Sequence, residues 1–225
     1  MAASAGNVEV VRLLIEKGTP LEAIPTQGRW EGWTPLHVAA DEGRANVIDL
    51  LLRRGADLNA QDARGYTAFW LALEGHHLEV LEALLRCGAD QVLDEEGKNR
   101  ALAWAASHGF REAIPLLAAK GASLGEKGSR SPSALHEAAH RRDVQAVAAL
   151  LAAGVDVNSR NARGQTALHC AAASSDVSLE IGHEAGRDKD APQVVKLLLA
   201  RGAEVDAEGP NDGPGGDGKA GWRPL

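Results

Sequence analysis

The sequence is poor in the residues on which disulfide-stapled domains and metal sites depend. Only 4% of its 225 residues are aromatic, and it has two cysteines, Cys87 and Cys170. Two cysteines so far apart along the chain give neither a disulfide framework nor a metal-ligand spacing, which favours reduced thiols in an intracellular protein. We therefore expect a cytoplasmic or nuclear protein without a bound metal.

The sequence also lacks targeting and membrane signals. Its N-terminus has no basic region followed by an apolar stretch, and no segment approaches the roughly 20 apolar residues that cross a bilayer. The formal net charge is −7, so the chain as a whole repels phosphate backbones and acidic membranes. We expect a soluble protein that neither inserts into membranes nor binds nucleic acid.

What the sequence does have is a phrase that recurs every 33 residues. Glycines close the phrase at four evenly spaced positions, which are Gly55, Gly88, Gly121 and Gly154. A T-P-L-H-like opening recurs in step at Thr34, Thr67, Arg100, Ser133 and Thr166. A fixed period of this length indicates stacked repeat units rather than one globular core.

The unit that opens at Thr34 predicts two short helices. Thr34 is a favourable N-cap and Pro35 suits the first helical position, while Gly43 ends the first helix. Gly55 then supplies the positive φ that the end of the second helix needs. Helices of about ten residues are marginal in isolation, so each pair must be covered by its neighbours.

This phrase resembles the ankyrin repeat, and the resemblance covers nearly the whole chain. It implies an all-α, elongated and curved solenoid of helix pairs linked by outward β-hairpin loops. The expected units are 1–23, 24–60, 61–92, 93–124, 125–158 and 159–207, the first partial and the last with a loop insertion at about 175–192. A Gly/Pro-rich linker follows at 208–220, and residues 221–225 look like the start of a truncated further repeat, so we expect a fragment of a longer array or a truncated gene model.

The fourth unit matches the phrase least well. Arg100 replaces the capping threonine, Ala103 replaces the histidine, and Pro115 falls within the expected second helix. A proline inside a helix removes a hydrogen bond and can cost about 3 kcal/mol. Unless that helix starts late, this is the expected point of local opening.

The histidines and cysteines do not predict a catalytic site. His37, His136 and His169 occupy the fourth position of the phrase, where the resemblance implies that the side chain hydrogen-bonds locally and braces adjacent units. Cys170 follows His169, but neighbouring helix positions point in different directions. We find no phosphate loop, no hydrolase motif and no cofactor motif, and we expect a protein that is not an enzyme.

The resemblance implies that a protein partner binds the hairpin tips and the exposed positions of the first helices. The matching positions in this chain are Trp30, Glu31, Trp33, Asp41, Glu42, Arg64, Tyr66, Glu74, His108, Arg130, His140, Arg141 and Arg163. The exposed loop tips are also expected to carry Asp62, Glu95, Glu96, Asn99 and Arg160. Trp33 and Tyr66 are equivalent, so their rings should be neighbours and could anchor a partner. The competing interpretation is that Trp30 and Trp33 fold under a small loop insertion.

The sequence predicts two further features of the surface, an uneven distribution of charge and one asparagine that could be modified. Acidic residues dominate the exposed positions of units two to four, and six basic residues dominate the last two units, namely Arg130, His140, Arg141, Arg142, Arg160 and Arg163. Such a dipolar groove would orient a partner, although solvated surface charge is an equal alternative. Asn59 resembles the hairpin asparagine that is hydroxylated in some ankyrin proteins, but it could simply shape the turn.

The expected function is a monomeric module that binds a protein of unknown identity. Two alternatives remain open. The array could be the targeting region of a larger enzyme or signalling protein, or its arginine cluster could bind nucleic acid, which the acidic total disfavours.

Overall fold

The computed structural model describes four stretches of the chain, residues 2–89, 93–121, 134–173 and 191–205. These residues form twelve helices and contain no β-strand. They divide into two units, Met1–Asp94 and Glu95–Leu225. The expected linker at 208–220, the expected repeat opening at 221–225 and most of the insertion at 175–192 lie outside the described residues.

Unit 1 is built from consecutive pairs of short helices. Its described helices are α1 (Ala2–Ala5), α2 (Val8–Glu16), α3 (Pro35–Asp41), α4 (Ala45–Arg53), α5 (Ala68–Glu74) and α6 (Leu78–Arg86). The first helices contact one another in the order α1, α3, α5, and the second helices in the order α2, α4, α6. This arrangement confirms the helix-pair stack that the 33-residue period predicts.

Unit 2 repeats the arrangement. Its described helices are α7 (Glu95–His108), α8 (Ala113–Ala119), α9 (Ala134–His140), α10 (Val144–Ala152), α11 (Ala167–Ala173) and α12 (Ala191–Ala200). Helix α9 contacts both α7 and α11, while α10 contacts both α8 and α12. Helix α12 takes in the last two residues of the expected insertion, which therefore ends earlier than its composition predicts.

The helix ends follow the repeated phrase. The Thr34 side chain accepts a hydrogen bond from the His37 N–H, and Pro35 is the first residue of α3. Six glycines that follow the second helices have φ between +82° and +96°, and they are Gly18, Gly55, Gly88, Gly121, Gly154 and Gly202. The predicted left-handed ends are thus confirmed in every repeat.

The fourth repeat differs from its prediction at both helices. Helix α7 begins at Glu95, well before Arg100, so Glu96 and Asn99 lie within a helix and not at a loop tip. Helix α8 begins at Ala113, which makes Pro115 its third residue. The N–H groups of the first turn have no partner within the helix, so this proline removes no helical hydrogen bond. There is therefore no physical reason to expect local opening of the helix at Pro115.

Leucine, isoleucine and alanine fill the interior of both units. In unit 1, Leu36, Ile48, Leu51 and Leu84 are at most 1% exposed. In unit 2, Ile114, Leu135, Leu150 and Leu198 are fully buried. Each such side chain contributes roughly 1.5–3 kcal/mol to folding before entropy is subtracted. Alanines between them, such as Ala39 and Ala72, allow the close approach of adjacent first helices.

Candidate functional site

The histidine of the repeated phrase joins one helix pair to the next in unit 1. His37 is 1% exposed. Its Nδ1 accepts the Thr34 N–H at 3.3 Å and lies 2.8 Å from the Thr34 hydroxyl. An accepting Nδ1 leaves the proton on Nε2, which donates to the Tyr66 carbonyl at 3.0 Å. The brace predicted for this histidine is confirmed, and it fixes the loop that precedes α5.

The same brace recurs in unit 2. His136 Nε2 donates to the Gln165 carbonyl at 2.7 Å. His169 Nδ1 lies 2.7 Å from the Thr166 hydroxyl and accepts the Thr166 N–H at 3.3 Å. All three histidines of the phrase therefore act within the scaffold, because each has at least one ring nitrogen bonded to a local backbone or hydroxyl group.

The burial of His136 predicts a pH dependence of stability. Burial lowers the pKa of His136 from 6.5, although its hydrogen bond to the Gln165 carbonyl partly opposes this. Below pH 6.5 the unfolded chain binds a proton that the folded chain does not, so the free energy of unfolding should fall as the pH drops. Urea unfolding between pH 7.5 and about 5 should show a shallower dependence in His136→Gln than in the wild type. A slope in His136→Gln that equals the wild-type slope contradicts the prediction.

The loop tip that precedes α5 is held by a buried carboxylate. Asp62, predicted to be an exposed tip residue, is 7% exposed. Its Oδ1 accepts the N–H groups of Arg64 and Tyr66 at 2.8 and 2.9 Å, and its own N–H donates to the Tyr66 carbonyl. Burial raises the pKa of Asp62, but these hydrogen bonds and the Arg64 guanidinium outweigh burial and hold it below its ordinary value. Asp62 is buried rather than exposed because the side-chain oxygen that closes an Asx turn must point toward the backbone N–H groups of that turn.

Asn161 plays the corresponding part in unit 2. Its Oδ1 accepts the N–H groups of Arg163 and Gln165 at 2.9 and 3.0 Å. These two loops therefore share one geometry. Each closes like a hairpin through two backbone hydrogen bonds, from Asp62 or Asn161 to the carbonyl four residues on and from Gly65 or Gly164 back to the carbonyl of Asp62 or Asn161, and neither contains a strand.

Three side chains come together at the tip in unit 1, and we call Trp33, Arg64 and Tyr66 the aromatic tip cluster. The Arg64 guanidinium lies 5.9 Å from the Trp33 ring centroid and 4.7 Å from the Tyr66 ring centroid. Asp62 orients it, with Oδ2 at 3.1 Å from Nε and from a terminal nitrogen. The Arg64 side chain is 55% exposed. The two rings are neighbours, as the equivalence of Trp33 and Tyr66 predicts, and a cation lies against both.

Trp33 also has a buried side. It is half-buried and lines an apolar cavity of about 160 Å³, together with Val11, Leu14, Pro20 and Val38. Trp30 is half-buried as well. Both competing interpretations of these tryptophans are thus partly realised. Replacing Trp33 would disturb packing as well as the surface, so variants at Arg64 probe the cluster more cleanly.

The predicted acidic face of unit 1 is partly neutralised by an arginine, whose single positive charge pairs with two carboxylates. Arg29 lies 3.5 Å from Asp41 Oδ2 and 3.4 Å from Glu42 Oε1, and its guanidinium is 5.4 Å from the Trp30 ring centroid. Exposed pairs of this kind contribute little to stability. Their effect is on charge, because they leave Glu31 and Glu74 as the exposed predicted acids of this unit.

In unit 2 the structure brings His140 and Arg163 to one groove. A cavity of about 410 Å³ is lined by these two residues with Glu137, Asn161 and Cys170. Burial raises the pKa of the Cys170 thiol to about 11, and Glu137 adds to the rise. The thiol therefore stays protonated near neutral pH and is a poor nucleophile.

The remaining predicted residues are dispersed. His108 stacks on Trp104 with ring centroids 4.0 Å apart, and it lines a second cavity with Arg141. Arg142, predicted to be an exposed charge, is 7% exposed. Arg130 lies outside the described residues. Asn59 is exposed and donates its N–H to Asp57 Oδ1 at 2.9 Å, which shows its part in the turn and leaves its hydroxylation a prediction.

Sequence reasoning missed a second set of braces in unit 1. His77 Nε2 donates to the Asp41 carbonyl at 2.8 Å, and Arg44 Nε donates to the Ser4 carbonyl at 2.9 Å. Both donors precede a second helix, and both acceptors end the first helix of the preceding repeat. A histidine and an arginine share no sequence signature, so only the register of the repeats could have pointed to them.

Neither a membrane-spanning helix nor a metal-binding cluster is present among the described residues. No described helix is long and apolar enough to span a bilayer. No group of three or more His, Cys, Asp or Glu side chains in the described stretches is placed to hold a metal ion.

Comparisons with known proteins agree on the repeat. Ankyrin repeat profiles match residues 1–62, 55–128, 135–179 and 163–209. The ankyrin repeat domain of Bcl-3, a member of the IkappaB protein family, is 28% identical with a TM-score of 0.69, over 92% of this chain and 87% of that chain.

Two curated relatives match over shorter stretches. The 2-5A-dependent ribonuclease of Mus musculus is 41% identical over 32% of this chain and 9% of its own length. The probable E3 ubiquitin-protein ligase XBOS32 of Oryza sativa subsp. japonica is 31% identical over 52% of this chain and 24% of its own length. The chain thus spans about a quarter or less of these relatives.

Proposed function

Because the chain belongs to the ankyrin repeat family, whose repeats are generally protein-interaction modules, we propose that it is a non-enzymatic module that binds a protein partner through its loop tips and exposed first-helix positions. The observation that carries this proposal is the aromatic tip cluster. Two half-buried rings hold an exposed guanidinium between them, and aromatic and arginine side chains are those that most often dominate the energetics of interfaces. The groove with His140 and Arg163 is the corresponding surface of unit 2.

The cluster is organised before any partner arrives. Asp62 fixes the arginine, and His37 fixes the Tyr66 carbonyl. A side chain that is already ordered loses less entropy on binding, which favours affinity. The same reasoning supports a non-catalytic role, because the buried histidines are committed to the scaffold and the Cys170 thiol is held protonated.

A second proposal concerns the context of the module. The curated relatives include a ribonuclease and a probable ubiquitin ligase, each at least about twice as long as this chain. We propose, as the alternative, that the repeats serve as the targeting region of a larger enzyme or signalling protein. The sequence of the full-length transcript decides between the two, since a catalytic domain in the same reading frame supports the alternative.

The variant Arg64→Lys tests the tip cluster without removing its charge. Lysine lacks the planar guanidinium that lies against both rings, so the affinity of a partner bound there should fall about tenfold. The free energy of unfolding should change by less than about 0.5 kcal/mol, because the side chain is exposed. The matched control is Arg53→Lys, an exposed arginine at the end of α4.

A photoreactive phenylalanine analogue at Tyr66 identifies the partner to be measured. Proteins crosslinked from this position in the intact chain are named by mass spectrometry, then titrated against both lysine variants. Equal affinities in Arg64→Lys and Arg53→Lys, or the same adducts from a probe at the exposed Glu82 on α6, would remove the tip cluster from the proposed site.

A further inference from the structure

The apolar cavity beside Trp33 lies where the chain departs from its own period. Gly18 and Gly55 close the first two repeats and are 37 residues apart, whereas the period is 33. The loop that follows Gly18 supplies one wall of the cavity, and the helices α1 to α4 supply the others. The cavity therefore belongs to unit 1 and to this longer loop, and it is separate from the groove of unit 2.

The cavity has a buried floor and an open mouth. Val11, Val38 and Leu51 line it and are at most 5% exposed, so they form the floor. Leu14 and Pro20 also line it, but both are exposed and therefore lie at the mouth. A small molecule can thus enter the cavity from solvent without unfolding a repeat.

Hydrogen bonds at both sides hold the loop that walls the cavity. The Thr19 N–H donates to the Leu14 carbonyl at 3.0 Å, which ties the start of the loop to α2. Glu22 Oε1 accepts the Asp57 N–H at 2.9 Å, which ties the loop to the turn that follows α4. The wall is therefore in place before any ligand arrives, and a ligand loses little affinity to ordering it.

The lining selects an uncharged apolar ligand. Among the described residues that line the cavity, only Thr19 and Trp33 have a polar side-chain atom, and none carries a charge. A buried water needs two to four polar partners, so this lining holds water poorly. A charged ligand would lose its hydration without gaining an opposite charge, which is costly. The chemistry of the walls therefore leaves hydrocarbon as the matching occupant.

We propose that this cavity binds one small apolar molecule of about the size of benzene. Its volume of about 160 Å³ is below the roughly 300 Å³ at which sites for drug-sized ligands begin. It is close to the roughly 150 Å³ of an apolar cavity that stays dry and binds benzene. Side chains that face a void lack contact atoms on one side, and a ring that fills the void restores those dispersion contacts. This inference needs no protein partner, so it is tested separately from the proposed function.

Benzene titrated into the intact chain tests the proposal, with pyridine as the control ligand. Calorimetry should give a dissociation constant for benzene of about 1 mM or tighter. Pyridine has the same shape but a ring nitrogen that loses its hydration in an apolar site, so it should bind at least about tenfold more weakly. In nuclear magnetic resonance spectra, benzene should shift the amide signals of Val11, Leu21 and Val38 and leave those of α9 and α11 unchanged.

Two leucine variants show whether benzene binds in this cavity. Ala23 lines the cavity and is half-buried, so Ala23→Leu should fill part of it and weaken benzene binding at least about tenfold. Ala63→Leu makes the same change at an exposed loop position outside the cavity and should stay within about twofold of the wild type. Equal benzene affinities in the two variants, equal affinities of the wild type for benzene and pyridine, or amide shifts confined to other residues would each overturn the proposal. If Ala23→Leu does not fold, the two wild-type measurements still decide the question.

Discussion

His37→Ala should lower the free energy of unfolding of unit 1 by about 3 kcal/mol. The substitution removes the hydrogen bond from Nε2 to the Tyr66 carbonyl and the contacts of Nδ1 with Thr34, and it leaves a cavity in a site that is 1% exposed. Buried groups left without a partner cost about 1–3 kcal/mol each, which is why the expected loss is large. Urea unfolding followed by circular dichroism measures it.

Two variants show which part of the His37 interaction matters. His37→Asn can still reach the Thr34 backbone but is too short to reach Tyr66, so it should recover only part of the loss. His76→Gly removes an exposed histidine of the same unit. Its φ of +56° lies in the left-handed region that glycine adopts without strain, so this variant should not lower the free energy of unfolding. A His37→Ala loss no larger than that of His76→Gly would mean that the brace contributes nothing.

Gly43→Ala should also be strongly destabilising, by roughly 2–3 kcal/mol. Gly43 has φ of +69°, and an added Cβ would lie 2.7 Å from His77 Nδ1. The His77 ring cannot simply move away, because its Nε2 donates to the Asp41 carbonyl at 2.8 Å. The alanine therefore adds backbone strain and displaces the brace between two repeats.

Two other glycines of unit 1 separate these causes. Gly55→Ala should add backbone strain without a steric clash, since its φ is +92° and no atom lies within 4 Å of an added Cβ. Gly75→Ala should mainly create a clash with the ring, since its φ is −77° while the Cβ would lie 2.5 Å from His77 Cδ2 and 3.3 Å from the Leu71 carbonyl oxygen. The loss in the free energy of unfolding should be larger for Gly43→Ala than for Gly55→Ala. In a His77→Ala background, the loss caused by Gly43→Ala and by Gly75→Ala should be smaller, whereas the loss caused by Gly55→Ala should stay the same. Equal costs in both backgrounds would contradict the steric explanation.

Much of the scaffold was readable from the sequence because its signals are local and recur. A glycine at a helix end reports a left-handed backbone by itself, and the threonine and histidine of the phrase are only three residues apart. The brace from His37 to the Tyr66 carbonyl followed from the resemblance, and the proximity of Trp33 and Tyr66 followed from their equivalent positions. These features need the repeat register and no further knowledge of the fold.

The sequence could not predict features that depend on the position of an individual side chain or on the start of an individual helix. Arg29 pairs with both Asp41 and Glu42 from a loop that has no counterpart in the other repeats. Asp62 turns inward, although aspartate in a loop is usually exposed. Helix α7 begins at Glu95 and continues through Gly97, whereas other repeats have a turn with a glycine of positive φ there, such as Gly65 or Gly164. Each of these outcomes is decided by local geometry rather than by the repeated phrase.

Native-state hydrogen exchange of His37→Ala tests most directly whether contacts between neighbouring repeats hold the tip cluster in place. The prediction is faster exchange at the amides of Arg64 and Tyr66 and in α3 and α5, with α9 and α11 unchanged. A uniform increase in all described helices, or unchanged exchange at the 62–66 loop, would contradict it.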